Sequence, residues 1–252
     1  MKKIKIIDKK VANYWNERGE SYSKSWRSLA KKRLSKLETD LVEKVICSKE
    51  EGVKTHRKNK LKTLDIGIGT GRITEAILKH QVIHYATDIS KTMVEYCREK
   101  FKNNPKIREI IVHDVLTPLP RKWGKFDAIT AFRVLSYSPK WQEELINLYR
   151  VLKPGGSLIF TFPNKYSSTM ISKLKRRSIE GCEVSVRELE ITLKKIGFSE
   201  WNIIGFSRLL DSFYDLCDSE ISACILFTIE RILSFVFGKT LFVRLFYVTC
   251  KK

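Results

Sequence analysis

The segment Leu64-Asp65-Ile66-Gly67-Ile68-Gly69-Thr70-Gly71-Arg72 constrains this chain more than any other. An apolar run ends in a carboxylate and alternating glycines, and residues of helical periodicity follow. Glycine permits backbone conformations and close ligand approach that side chains forbid, and the first turn of a helix leaves amide hydrogens without intrahelical partners. A strand, turn and helix of this kind belong to an open α/β sheet whose ligands sit beyond the carboxyl ends of the strands. Dinucleotide-binding turns have the form GxGxxG, but here Arg72 stands where their last glycine would fall. Asp65 reads two ways. It can accept from a cationic amino group, where a pyrophosphate would be repelled, or it can brace the loop. A side chain at Gly67 or Gly69 is expected to occupy space a ligand needs.

The rest of the chain alternates in the same manner. Strands are predicted at 61–66, 83–87, 109–113, 126–131, 157–162, 201–206 and 242–248. Helices are predicted at 71–79, after Ser90 as N-cap, at 141–152 and at 186–196. Pro154-Gly155-Gly156 is expected to stop the third of these, because proline cannot continue the ladder. This alternation implies a doubly wound α/β fold, a mostly parallel sheet with helices on both faces. Residues 10–47 carry Leu34, Leu37, Leu41, Val42, Val45 and Ile46 at helical spacing, and 48–59 read as a polar linker. The expected division is an N-terminal helical extension and linker over 1–60, then the α/β domain over 61–252.

Composition narrows the function classes. The formal charge of +20 invites a nucleic-acid reading, but its lysines crowd residues 2–62 and recur at 173–177, which equally describes a solvated surface. The six cysteines form no CxxC pair and no zinc-ligand cluster, so neither a disulfide framework nor a metal site is expected, and a reducing cytoplasm suits them. No apolar stretch is long enough to span a bilayer.

Two further carboxylates end successive strands: Asp88 can accept from both hydroxyls of a ribose, and Asp114 from an adenine amino group. With these residues the sequence resembles the class I S-adenosylmethionine-dependent methyltransferases, in particular the small-molecule group that includes the ubiquinone and menaquinone enzymes. The resemblance extends from about residue 14 to 206. It runs through the glycine loop, Asp88-Ile89-Ser90 with Met93, Asp114-Val115, Leu119-Pro120, Phe126-Asp127-Ala128-Ile129, Arg150-Val151-Leu152-Lys153-Pro154-Gly155-Gly156 and Gly197-Phe198. It implies a Rossmann-like seven-stranded sheet with an antiparallel last strand, and S-adenosylmethionine as cofactor. It also implies Asp65 near the methionyl amino group and Gly67 and Gly69, with Ile68 and Gly71 of the same loop, against the cofactor. Asp88 would take the ribose, Ile89 and Met93 the adenine face, Asp114 and Val115 the adenine edge. Phe132 would border the cofactor, and Tyr22, with Tyr14 and Trp15, would fold over it.

The acceptor side is less legible. Arg133, Tyr137 and Asn164 follow the fourth and fifth strands and are the substrate-side candidates; Arg133 reads equally as a carboxylate clamp or an ion-paired arginine. Strand alternation should turn His113 away from the ligand. About 35 residues separate the last two strands, more than a connection requires. Over about 208–241 they read as a helical insertion, acidic at first and then strongly apolar. It is either a helix pair packed on the core or an apolar lid or membrane-resting helix for a lipid-like acceptor. The functional expectation is a cytoplasmic methyltransferase for a small-molecule or lipid-like acceptor, with peripheral membrane contact as the sharper form. RNA methylation and a non-catalytic cofactor-binding scaffold are the alternatives.

Overall fold

The computed structural model describes residues 9–22, 26–53, 60–167 and 181–252. The basic stretch at 173–177 and the later part of the expected linker lie outside the described residues. Strands β1 (Leu61–Ile66), β2 (Val82–Asp88), β3 (Ile107–Val112), β4 (Phe126–Ala131), β5 (Leu152–Pro163), β6 (Glu200–Ile204) and β7 (Leu245–Lys251) form one sheet in the order β3-β2-β1-β4-β5-β7-β6. The pairs β1–β2, β1–β4, β2–β3 and β4–β5 are parallel, whereas β7 lies antiparallel between β5 and β6. Strand order reverses between β1 and β4. A doubly wound sheet opens its ligand crevice at such a switch point.

The central strands are covered on both faces. Leu64, Ile129, Leu158, Phe160 and Phe162 pack in one cluster with Leu145, Leu148 and Leu189, while Val82 and Ala86 pack in a second with Ile73, Ile77 and Val94. The covering helices are α3 (Arg72–Ile77), α4 (Lys91–Lys100), α5 (Trp141–Val151) and α6 (Val186–Ile196). Ser90 caps α4 as expected, accepting from the Met93 amide at 3.2 Å.

Several boundaries differ from the sequence reading. The N-terminal region is two helices, α1 (Lys9–Tyr22) and α2 (Leu29–Val53), and α2 runs into the expected linker because its lysines and glutamates are good helix formers. Pro154-Gly155-Gly156 falls within β5, at a register shift opposite β4, instead of forming a separate turn. The last strand begins at Leu245: Phe242 has φ 57°, a left-handed conformation that a strand cannot contain.

The insertion forms α7 (Asp211–Leu216) and α8 (Glu220–Phe237). Ala223 and Leu226 of α8 pack with Tyr214 against Ala30 of α2. Buried Glu230 gathers this corner, accepting from the backbone amides of Arg208 and Leu209 at 2.8 and 3.0 Å and from the Tyr214 hydroxyl at 2.5 Å. The opposite face of α8 is unpacked: Ile221, Ile225, Ile229, Ile232, Phe235 and Val236 are all exposed, Phe235 at 92%. The insertion is therefore a packed helix pair on one side and an apolar surface on the other. No helix among the described residues is long and apolar enough to cross a membrane.

Candidate functional site

The glycine loop leaves β1 and is held against β2: the amides of Gly67 and Ile68 both donate to the Thr87 carbonyl, at 2.7 and 2.9 Å. Gly67, Gly69 and Gly71 have φ of 70°, 52° and 83°, which side-chain-bearing residues rarely adopt. The three glycines are required for different reasons. A Cβ at Gly67 would stand 2.2 Å from the Val134 side chain, and one at Gly71 would meet the Phe101 ring at 2.6 Å. A Cβ at Gly69 would find its nearest neighbours, the Gly67 carbonyl and Tyr22 ring, 4.0 Å away. A side chain at Gly67 would thus collide with the protein itself, whereas one at Gly69 would make only ordinary van der Waals contact; both glycines line the cavity described below.

Beneath the loop lies a buried polar chain. Asp65 is 2% exposed and accepts from the hydroxyls of Thr130 and Thr74, at 2.6 and 2.8 Å. Thr74 also contacts His84 Nε2 at 3.2 Å, and His84 Nδ1 lies 2.8 Å from the Thr63 hydroxyl. With the Thr74 proton directed to Asp65, one neutral tautomer satisfies the chain, Nε2–H donating to Thr74 and Nδ1 accepting from Thr63. Burial pushes His84 down to about 3, so the ring stays neutral. Burial also raises Asp65 to about 7, against the opposing hydrogen bonds from Thr130 and Thr74. Asp65 is not on the wall of the cavity described next, and its geometry is that of a loop brace.

That cavity, of about 310 Å³, opens at the carboxyl ends of β1, β2 and β4, and its size is that of a small-molecule site. Gly67, Gly69, Asp88, Ile89 and Met93 line it from the β1 and β2 side. Asp114, Val115 and Phe132 line it from β3 and β4, and Tyr22 from α1. Of the residues expected at a cofactor, Asp65, Ile68 and Gly71 are not on the wall. Ile68 is 4% exposed and packs under the loop with Ile73 and Ile77, and Gly71 is the N-cap of α3. Asp88 is oriented by the Gly69 amide on Oδ2 and the Ser90 amide on Oδ1, both at 2.9 Å. Burial raises it to about 6 although those amides favour its charge. His113 lines the cavity too, contrary to the alternation argument, because β3 ends at Val112 and the pleat no longer sets the direction of the next residue.

On the acceptor side, Tyr137 lines the cavity and meets Trp15 of α1 edge-to-face, ring centroids 5.6 Å apart; Trp15 packs likewise on Tyr22 at 5.3 Å. Asn164 is not on the wall. Its side chain donates to the Val243 carbonyl at 2.8 Å and accepts from the Tyr166 amide at 3.0 Å, so it ties the end of β5 to the segment just before β7. Arg133 does line the cavity, but its guanidinium grips Glu38 of α2. Glu38 is fully buried, and it also accepts from Arg72 at 2.5 Å and from the Tyr247 hydroxyl at 2.7 Å. Trp26 stacks on both guanidiniums, at 4.3 and 4.7 Å. Burial alone would raise the Glu38 pKa, but Arg133 and Arg72 outweigh it and hold the carboxyl below its usual range. The ion-paired reading of Arg133 is the observed one. Glu38 escaped the sequence reading, although it was visible as the charged residue in a buried row at every fourth position, Leu34, Glu38, Val42 and Ile46.

Glu144 of α5 also escaped it. It is 4% exposed, lines the cavity, and its Oε2 has no hydrogen-bond partner among the described residues. No residue of 208–241 lines the cavity, so the insertion is not a lid over it.

Comparison with known proteins finds similarity over the α/β core. A family described as "Methyltransferase domain" matches residues 64–160. A highly reducing polyketide synthase of Fusarium is 34% identical over 43% of this chain, which spans 5% of that protein's length. A ubiquinone biosynthesis O-methyltransferase of Coxiella burnetii is 29% identical over 59% of this chain, which spans 64% of its length. Among solved structures, the S-adenosylmethionine-bound magnesium protoporphyrin IX methyltransferase of Synechocystis PCC 6803 shares the fold with a TM-score of 0.61, at 17% identity over 98% of both chains.

Proposed function

We propose, starting from a chain that carries a class I S-adenosylmethionine-dependent methyltransferase domain, that it transfers the methyl group of S-adenosylmethionine to a small, lipid-like acceptor. The observation that carries this reading is the convergence on one cavity of Gly69, Asp88 and Asp114 at the carboxyl ends of the strands. Those residues suit the cofactor chemically. Asp88 accepts two backbone amides and retains lone pairs for the ribose hydroxyls. Ile89 and Met93, on the same cavity, would offer apolar contacts to the adenine, and the Asp114 carboxylate would accept a hydrogen bond from its amino group.

When bound, S-adenosylmethionine supplies a methyl group already activated on a sulfonium, so little chemistry is asked of side chains. The chain's contribution is alignment and exclusion of water. The elements on either side of the loop, β1 and α3, are joined to each other and to β2 by the Asp65–Thr74–His84–Thr63 chain. Trp15, Tyr22 and Tyr137 form an aromatic cluster on the cavity, with Tyr22 beside Gly69 of the glycine loop. Arg133 is kept at the wall by Glu38 and contributes position more than free charge.

A lipid-like acceptor is favoured by the exposed apolar row on α8, flanked by the cations Arg231 and Lys239. A helix with such a face binds at a lipid interface through apolar burial and attraction to anionic headgroups. A relative named for ubiquinone biosynthesis points to the same acceptor class. The test is incubation of the protein and isotope-labelled S-adenosylmethionine with cell extract, then fractionation into lipids, small metabolites and RNA. Label is expected in the lipid or small-molecule fraction. Label confined to RNA would overturn the acceptor assignment, and calorimetric affinity for NAD with none for S-adenosylmethionine would overturn the donor.

A further inference from the structure

We infer that Arg133 and Glu38 are positioning residues for the cofactor: their ion pair holds the chain after β4 in a left-handed turn, and that turn sets the part of the cavity wall that meets the glycine loop. This rests on the cofactor site proposed above. Among the described residues, only Arg133 and Phe242 combine a side chain with positive φ, at 56° and 57°. Phe242 is not on the cavity wall, whereas Phe132, Arg133 and Val134 all line it.

A left-handed conformation is unfavourable for a residue with a Cβ, and it persists only where the surroundings impose it. Here it changes where the neighbouring side chains go. In a continued strand, Phe132 and Val134 would share one face of the sheet. Instead Phe132 belongs to the cluster of Ile68 and Ile73, and Val134 packs against the cluster that contains Leu64 and Leu135. Val134 comes so close to Gly67 that a Cβ on the glycine would lie 2.2 Å from it. The chain then enters a short helical turn, Leu135–Tyr137, which ends on the same cavity at Tyr137.

Two anchors impose the turn. The Arg133 amide donates to the Thr161 hydroxyl of β5 at 2.7 Å. Its guanidinium donates to the buried Glu38 carboxylate and is stacked by Trp26. Glycine would adopt the same φ without strain, but its backbone would be free to leave it. Arginine accepts the strain and gains a hold on α2. When that hold is lost, Arg133 relaxes towards ordinary φ. The cofactor must then restore the turn as it binds, and its affinity falls.

The test compares substitutions that differ in backbone preference. The assay is calorimetry on the full chain with S-adenosylhomocysteine, at a temperature where circular dichroism shows each variant folded. R133A and R133G differ by a single methyl group and both lose the ion pair, but only glycine accepts positive φ. R133G should bind about three- to tenfold more tightly than R133A, the left-handed penalty less glycine's extra freedom. E38Q should bind about three- to tenfold more weakly than wild type. E38Q/R133Q removes the stranded cation but keeps a side chain at positive φ, so it should regain part of the lost Tm without regaining affinity. E38Q/R133G should bind about three- to tenfold more tightly than E38Q/R133Q. Equal affinities within either glycine comparison, or wild-type affinity in E38Q, would overturn the inference while leaving the donor assignment intact. Should R133A fail to fold, the two double variants decide. Absence of wild-type binding would remove the donor assignment itself, and this inference with it.

Discussion

Glu38→Gln should destabilise the protein far more than a surface charge change would. The carboxylate is fully buried, and the two arginines that it neutralises, Arg72 and Arg133, have side chains only 21% and 24% exposed. An amide keeps the volume and can still pair with the Tyr247 hydroxyl, but it leaves two largely desolvated guanidiniums without a counter-charge. Removing one partner of such a buried pair costs about 3–5 kcal/mol. For a chain of this size each kcal/mol lowers Tm by about 2–4 °C, so a fall of about 6–20 °C is expected. The pH dependence has a definite sign. Because the folded-state pKa of Glu38 is depressed, its contribution is present above the unfolded carboxyl value and is lost as pH falls through the lower folded value. Wild type and variant should therefore differ most near neutral pH and converge in acid. Thermal melts from pH 3 to 8 are the assay. Adding Arg133→Gln to Glu38→Gln should recover part of the loss, since one stranded cation is removed with it. A single-variant Tm change below about 3 °C at pH 7 would refute the reasoning, because the arginines would then have to be solvated well enough to need no carboxylate.

Three further outcomes follow from the site and the surface. Asp88→Ala should weaken S-adenosylhomocysteine binding about ten- to a hundredfold by calorimetry, and wild-type affinity should decline as pH drops below about 6, where the carboxyl gains a proton. Gly67→Val should lower Tm with or without ligand, because its Cβ meets Val134, whereas Gly69→Ala should act more on ligand affinity than on the melt; equal effects in both assays would contradict the distinction. Ile232→Ser with Phe235→Ser should release the protein from vesicles containing anionic lipid without lowering Tm, as both side chains are exposed; undiminished retention would show that α8 is not the contact.

The glycine loop, the strand-end carboxylates and the α/β alternation could be read from the chain because each is local. A turn that needs positive φ selects glycine, a strand end opening on a crevice accommodates a short carboxylate, and a doubly buried strand selects a continuous apolar run. What no local pattern contained was which polar groups meet across the sheet. Asp65 looks like a ligand contact in one dimension, but Thr74 from α3 and Thr130 from β4 converge on it once β1 lies between β2 and β4. Arg133 looked available to a substrate until α2, about a hundred residues earlier, brought Glu38 to it. Glu144 reads as an ordinary helical glutamate, and it becomes a cavity group only because α5 is fastened to the loop after β3. Its charge state, like those of Asp65 and Asp88, is set by desolvation working against the hydrogen bonds and charges around it. Both depend on distances in space that the order of residues does not encode.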